Sequence, residues 1–285
     1  MNSLRRISAI AHTTFVELAR LRVFGVLVLF AMVLIASSTF LARISFQQEL
    51  QVSRDIALGA INFFLCLLAI VATAQLLPRD VEDRVVYSVL AKPVSRAEYI
   101  LGKFFGVLTL LVASLVTMAL LCVLVLHWRE GNAVREVTQQ FVQSPELPRA
   151  LRDVHASGVN VALFAAFGVL FIKSAILAAA TLCLSTFATS NIFTISAMAM
   201  VYLVGHLEST ARDYWLRQHA AGAVTSIFIG IVAFLFPDLE AFNVSDQLVA
   251  GTLSSAMLWH LLALAGFYTL IYLLLAIAIF NQREL

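Results

Sequence analysis

Charge is scarce along this chain. Only 13% of its 285 residues are Asp, Glu, Lys or Arg, about half the share of a soluble domain. The apolar fraction of 61% is too large to hide inside a water-facing globule of this length, so an ordinary soluble fold is excluded. Cysteine is nearly missing too: Cys66, Cys122 and Cys183 all fall inside apolar runs, with no C-x-x-C and no metal spacing. That excludes a disulfide framework and leaves each thiol as a small buried hydrophobe. No basic cluster exceeds two adjacent residues, so a net charge of +2 points to no nucleic-acid partner.

The motifs of nucleotide and hydrolytic chemistry are absent as well. Gly102-Lys103 lacks the upstream glycine of G-x-x-x-x-G-K-[ST] and is followed by Phe104. A P-loop is excluded, and any ATP chemistry falls to a separate polypeptide. Neither H-E-x-x-H nor G-x-S-x-G occurs. His12, His127, His155, His206, His219 and His260 are scattered without i,i+4 pairing. No catalytic residue, metal ligand or cofactor is assigned to the chain.

What is abundant is uninterrupted apolar sequence. Runs at about 23–42, 56–77, 104–126, 159–187, 192–207 and 257–280 approach or exceed the ~20 residues that carry a helix across a bilayer. The run at 192–207 is somewhat short alone. The runs are continuous instead of alternating every second residue, which selects helices over a barrel. The expected fold is therefore all-α, a polytopic membrane protein with six transmembrane helices in one domain spanning 1–285. A seventh apolar stretch, 222–237, is interrupted by Gly230 and stopped by Pro237. Its length suits a re-entrant or interfacial segment.

Six spans return the C-terminus to the side of the N-terminus. Placing both in the cytoplasm puts Arg5, Arg6, Arg20, Arg22, Arg79, Arg84, Lys92, Arg96, Lys103 and Arg283 inside, in short segments, as the positive-inside rule asks. Arg5 and Arg6 precede an apolar run ending in Ala36-Ser37-Ser38, but that run starts too late and is too long for a cleavable signal. Residues 3–22 instead predict an amphipathic helix. Leu4, Ile7, Ala11, Phe15 and Leu18 recur every three or four positions, which suits the headgroup layer; a plain cytoplasmic extension of the first span is the alternative. The polar stretch 127–158 predicts an external loop with a small helix or two, broken at Pro145 and Pro148.

Polar chemistry concentrates between the second and third runs, in RDVEDRVVYSVLAKPVSRAEYILGK at 79–103. Val81, Val85, Val86, Val89 and Leu90 form a helical apolar stripe, with Asp80, Glu82, Asp83, Arg84 and Tyr87 elsewhere on the wheel. Pro93 ends this helix. Ser95-Arg96-Ala97-Glu98 then fits a capping box that opens a second helix leading into the third span. A stiff element fixed at both ends to spans would tilt those spans when pushed. A solvated interfacial loop is the bland alternative.

The stretch V-L-A-K-P-V-S-R-A-E-Y-I-L-G-K-F resembles the segment after the second span of ABC-2 type transporter permeases, nearest to their multicopper-enzyme-maturation branch. T-F-V-E-L-A-R-L-R before the first span, F-P-D-L-E-A-F-N before the last and the closing I-F-N-Q-R-E-L are similar to that family too. The resemblance implies a coupling helix docked on an ATPase subunit, with Glu82, Asp83, Tyr87, Leu90, Pro93, Val94 and Arg96 at or near the contact. It implies that Glu17 and Arg20 lie on an elbow helix. It further implies two ABC ATPase subunits that bind ATP and Mg, a second permease copy or paralogue, surrounding lipid, and a place in a bacterial inner membrane, most often as an exporter. The 127–158 loop is longer than in the simplest members.

Lys173 stands midway along the fourth apolar run. An ammonium there costs about 2.5–3.5 kcal/mol on insertion scales and needs a partner or a wet cavity. It lines a transport path or subunit seam, or it is a structural lysine paired with a carboxylate or carbonyl, or it snorkels if the outer half of the run lies outside the bilayer; the sequence leaves these open. Two rivals to the transporter reading stand beside it. One is an ATP-driven mechanotransducing subunit that moves no cargo and acts on an external partner protein; the other is a scaffold or channel without an ATPase.

Overall fold

The computed structural model describes residues 3–42, 49–82, 94–140, 147–188, 190–217, 237–243 and 254–282. Every regular element among them is helical. In chain order these are α1 (Ser3–Ala19), α2 (Arg22–Ala42), α3 (Glu49–Ala74), α4 (Leu76–Glu82), α5 (Arg96–Gln140), α6 (Leu147–Ser157), α7 (Val161–Ser185) and α8 (Asn191–Arg217). A 3₁₀ turn at Glu240–Phe242 and α9 (Ser255–Gln282) complete them.

The burial pattern sorts these helices into a centre and a rim. α7 is the axis, with Leu177, Ala178, Ala179 and Leu182 fully enclosed. α3, α5 and α9 pack around it, and the small alanine side chains let their backbones approach closely. α2 and α9 bury only 17% of their apolar windows. Phe30, Val33, Phe267, Leu270 and Leu274 point outward instead. So large an exposed apolar rim fits hydrocarbon and not water.

Among the described residues, five helical stretches are long and apolar enough to cross a membrane: Arg22–Phe40, Leu50–Val81, Arg96–Gln139, Leu147–Ser185 and Ala256–Gln282. The sixth expected span, 192–207, lies within α8, whose apolar part Asn191–Leu207 is shorter than these. The expected segment at 222–237 lies outside the described residues except for Pro237.

Within the stretch 127–158, where a loop with a small helix or two was expected, two helices are present among the described residues, the first as a continuation of α5 and the second as α6. α5 runs unbroken for 45 residues, which at ~1.5 Å each reach about 68 Å, against ~30 Å of hydrocarbon. Its sequence carries no proline after Arg96 until Pro145, and Pro148 sits harmlessly in the first turn of α6. Tertiary contacts hold the extension. Arg129 donates to the Thr39 carbonyl at the end of α2 (2.7 Å). Glu130 meets His155 Nδ1 (2.8 Å) and accepts from the Val159 amide (3.2 Å), tying α5 to α6 and to the turn before α7. Asn160 caps α7 by accepting from the Leu163 amide. Arg54 on α3 is buried and donates to the Ala156 carbonyl (3.4 Å).

α1 lies across the start of α5, with Thr14 and Leu18 buried and Leu4 exposed. Gly102 and Gly106 make room for it. A Cβ at Gly106 would stand 2.6 Å from Thr14 Cβ and 2.8 Å from the Ala11 carbonyl oxygen; one at Gly102 would stand 2.7 Å from Ile10 Cβ. α1 ends at Ala19, and the chain turns at Arg20-Leu21 into α2.

Gly106→Leu is therefore expected to lift α1 off α5, because a backbone carbonyl cannot step aside, and to open trypsin cleavage within α1 in detergent. Gly131→Leu, at a position with nothing within 4 Å, should leave the digest unchanged. Equal digests of both variants would contradict the packing.

Candidate functional site

The base of the 79–103 insert is where the described charges converge. α3 ends at Ala74, and α4 carries Pro78, Arg79 and Asp80 to the edge of the apolar core. Asp80 is 3% exposed, Lys103 5% and Tyr99 1%. Tyr99 and Lys103 are four apart on α5 and so share one face. The Tyr99 hydroxyl donates to Asp80 Oδ2, and Lys103 Nζ lies 2.6 Å from the same oxygen. Lys103 also sits 3.7 Å from Glu17 on α1 and 5.8 Å above the Tyr99 ring. A buried charge pair is retained only when its hydrogen bonds are met; here both ions have partners.

A second set of contacts surrounds this pair. The capping box forms as the spacing predicts: Ser95 N donates to Glu98 Oε2 (3.0 Å) and Glu98 N to Ser95 Oγ (3.1 Å). Arg6 reaches Glu98 at 3.4 Å, adding a tie from α1. Arg96 turns toward α9 and donates to the carbonyls of Phe280 (2.8 Å) and Asn281 (2.9 Å), satisfying acceptors that a helix C-terminus leaves open. Tyr99 and Phe280 stack at 5.8 Å. Both ends of the insert are thus fastened to α1, α4, α5 and α9 at once.

Of the expected contact residues, Asp83, Tyr87, Leu90 and Pro93 lie outside the described residues. Glu82 is the last residue of α4. Val94 is partly buried just before the capping box. Arg96 belongs to the inner fastening described above. Glu17 and Arg20 part company: Glu17 faces Lys103, while Arg20 is exposed.

Lys173 forms a separate site deep in the bundle. It is fully buried on α7, and its Nζ lies 3.0 Å from His206 Nε2 on α8. His206 Nδ1 lies 2.9 Å from the Tyr202 carbonyl. A carbonyl only accepts, so Nδ1 carries the proton, and Nε2 accepts from the ammonium. The hydrogen-bond partner is an imidazole, where the sequence suggested a carboxylate or carbonyl. Asp238 and Glu240 act on Lys173 electrostatically. Their segment is seated on α8 by the Leu239 amide donating to the Gly205 carbonyl (2.9 Å), with Leu239 fitting where Gly205 has no side chain.

Asp80, Tyr99, Lys103 and His206 escaped the sequence reading. A carboxylate and an ammonium at the inner ends of consecutive apolar runs were a usable signal for the first pair. The small-x-x-x-small spacing Gly102-Lys-Phe-Phe-Gly106 was one for the α1 crossing. Nothing local marks His206 as the partner of Lys173.

Removing one ion should cost far more than removing both. Lys103→Met leaves Asp80 buried and unpaired and is expected to destabilise the detergent-solubilised protein by about 3–5 kcal/mol. Lys103→Met combined with Asp80→Asn should recover most of that loss, read as thermal unfolding in a double-mutant cycle. Additive losses would show that the pair is not coupled.

No curated protein matches the chain. The family model described as ABC-2 family transporter protein matches residues 8–285. With every regular element among the described residues helical, with five helical stretches of spanning length, and with residues 8–285 matched, the chain belongs to the ABC-2 family transporter proteins, the membrane components of ABC transporters.

Proposed function

We propose that this chain is the permease subunit of an ATP-driven transporter in a bacterial inner membrane, with both termini cytoplasmic. In this reading two ABC ATPase subunits hold ATP and Mg, and a second permease copy or paralogue completes the path. The ATPases press on the 79–103 insert through Asp83, Tyr87, Leu90 and their neighbours. The observation that carries the reading is the fastening at the insert's base. Through Asp80, Lys103 and Arg96, a push on the insert reaches α1, α4, α5 and α9 together. A loop without such anchors would dissipate the same push locally. The direction most often taken in the family supports export, and the Arg and Lys on the insert side support a cytoplasmic insert. The insert's own sequence supports the multicopper-enzyme-maturation branch.

A second reading rests on α5. One unbroken helix runs from the insert's exit at Arg96 to Gln140 and carries α6 through Glu130 and His155. Such a rod suits a mechanotransducing subunit that moves an external partner protein without passing cargo. Lys173 separates the two readings. Lys173→Met lowers transport at unchanged ATP hydrolysis if α7 lines the path, and changes neither if α5 is only a lever.

The intact complex should co-purify with an ATPase, and Tyr87→Ala with Leu90→Ala should weaken that association roughly tenfold, the scale of one interface hot spot. Binding to the purified ATPase and ATP turnover provide the measurement. An ATPase that never co-purifies, or a Tyr87→Cys thiol labelled from the exterior, would retire the coupling reading.

A further inference from the structure

The contact between Lys173 and His206 differs from the one between Lys103 and Asp80 in that both partners are bases. Lys173 Nζ and His206 Nε2 lie 3.0 Å apart, and such a bond lasts only while the imidazole nitrogen keeps its lone pair. The Tyr202 carbonyl holds the ring proton on Nδ1 (2.9 Å), so the ring cannot answer a change at Nε2 by exchanging tautomers. The Tyr202 ring, 4.3 Å away between centroids, fixes its plane as well. A proton added to Nε2 would occupy the acceptor position and set an imidazolium against an ammonium. Both charges would stand in an interior that screens them weakly, and one must move away. Lys173 sits on the enclosed axis α7, whereas α8 exposes Ile192, Met200, Leu203 and Leu207 on its outer side. α8 is therefore the helix that yields.

Other titratable groups reach the pair from each neighbouring element. The 237–243 segment brings Asp238 and Glu240, which act on both bases. α3 brings Cys66, which acts on Lys173, and α8 itself brings Tyr202. Among the other helices packed on α7, α5 carries Cys122 and α9 carries Tyr268 and Tyr272, while Asp80 of α4 is committed to Lys103 at the insert end. Asp238 and Glu240 are half-buried, and Leu239 between them is enclosed. Asp238 Oδ1 accepts from the Glu240 and Ala241 amides (both 3.1 Å) and Glu240 Oε1 from Asn243 Nδ2 (2.9 Å). The segment is seated by the Leu239 amide on the Gly205 carbonyl (2.9 Å). Gly205 directly precedes His206 in the chain, so the seat of the segment and the acceptor of Lys173 move together.

We propose that Lys173 and His206 form a proton-binding site in which uptake of a proton at His206 Nε2 parts α8 from α7 and unseats the 237–243 segment from Gly205. The proton comes from water outside the bundle, adds to the Nε2 lone pair and breaks only the hydrogen bond from Lys173. The site makes the packing of α7 against α8 a function of pH, and it stands independently of any ATPase or cargo.

Hydrogen–deuterium exchange on the full-length chain in detergent tests this at about pH 8 and about pH 5, an interval that brackets the ordinary histidine range. The peptide containing Leu239 is followed, with rates corrected for the intrinsic pH dependence of amide exchange. Its exchange should rise roughly tenfold on acidification, the scale of one hydrogen bond to a charged group. His206→Gln, whose amide oxygen accepts from Lys173 and does not titrate, should abolish the rise. Glu240→Gln and Asp238→Asn leave both bases in place and should retain it. A peptide of α5 around Leu110 and Leu111, both buried, should stay protected throughout. Equal protection of Leu239 at both pH values overturns the proposal, as does a rise that persists in His206→Gln. An equal rise in the α5 peptide also overturns it, because that is general acid unfolding. Should His206→Gln not fold, the carboxylate variants decide: a rise kept in both supports the site, and a rise lost in either assigns the response to a carboxylate. No ATPase or cargo takes part in the measurement, so its outcome leaves the functional reading untouched.

Discussion

A lysine ammonium with almost no access to water must find a counter-charge, and Lys103 finds Asp80. This requirement organises the insert end of the molecule. Asp80 belongs to the helix leaving the second apolar run, and Lys103 to the helix entering the third, so the pair closes the insert into a loop with a fixed base. Tyr99 and Glu17 complete the shell, and through Glu17 the terminal helix is included. Apolar contacts could hold these helices at similar cost, since buried ion pairs seldom out-stabilise well-packed hydrophobes. What an ion pair adds is intolerance of misalignment: a helix slipped by one turn leaves two charges bare in the apolar core.

From that base, rigidity propagates in two directions. Laterally, Arg96 caps α9 and Arg6 holds α1, so α1 and α9 both reach the start of α5. Axially, α5 continues without a break to Gln140. A helix resists bending unless its hydrogen-bond ladder is interrupted by proline or a bulge. Movement at Arg96 is therefore movement at Arg129 and Glu130, which hold α2, α6 and the turn before α7. The two polar clusters are joined by one rod, and α7 with its enclosed alanines is the packed axis beside it.

The elements that periodicity and local chemistry control were legible in the sequence. Apolar runs located the spanning helices, and Ser95 with Glu98 announced the start of α5 because a capping box is complete within four residues. Long-range pairings were not. Asp80 read as one more polar residue on a solvated stripe, because only the turn of the insert brings it to Lys103. The polar residues after Leu126 read as a loop with a small helix or two and not as a continuation of the third span, since hydropathy reports the solvent of a helix and not its length. α5 continues there because no breaker intervenes and because Arg129 and Glu130 have tertiary partners. Lys173 declared itself by its cost. Its partner did not, since His206 lies in a different apolar run and lacks any motif.

The two buried lysines differ in a way that bears on how force is used. Lys103 is neutralised by a carboxylate at contact distance and is a fixture. Lys173 donates to a neutral imidazole, and the carboxylates it feels, Asp238 and Glu240, belong to a segment held on α8 through Leu239. Its stabilisation thus depends on where the 237–243 segment sits relative to α7 and α8. A displacement of α8 relative to α7 would alter the separation between this ammonium and those carboxylates in a medium that screens charge weakly. The bundle thus holds one firmly paired cation at the insert end and, at its centre, one that donates to an imidazole. If the insert is driven as proposed, the fixed base would carry the displacement, and the interior of α7 and α8 is where it would alter the electrostatics.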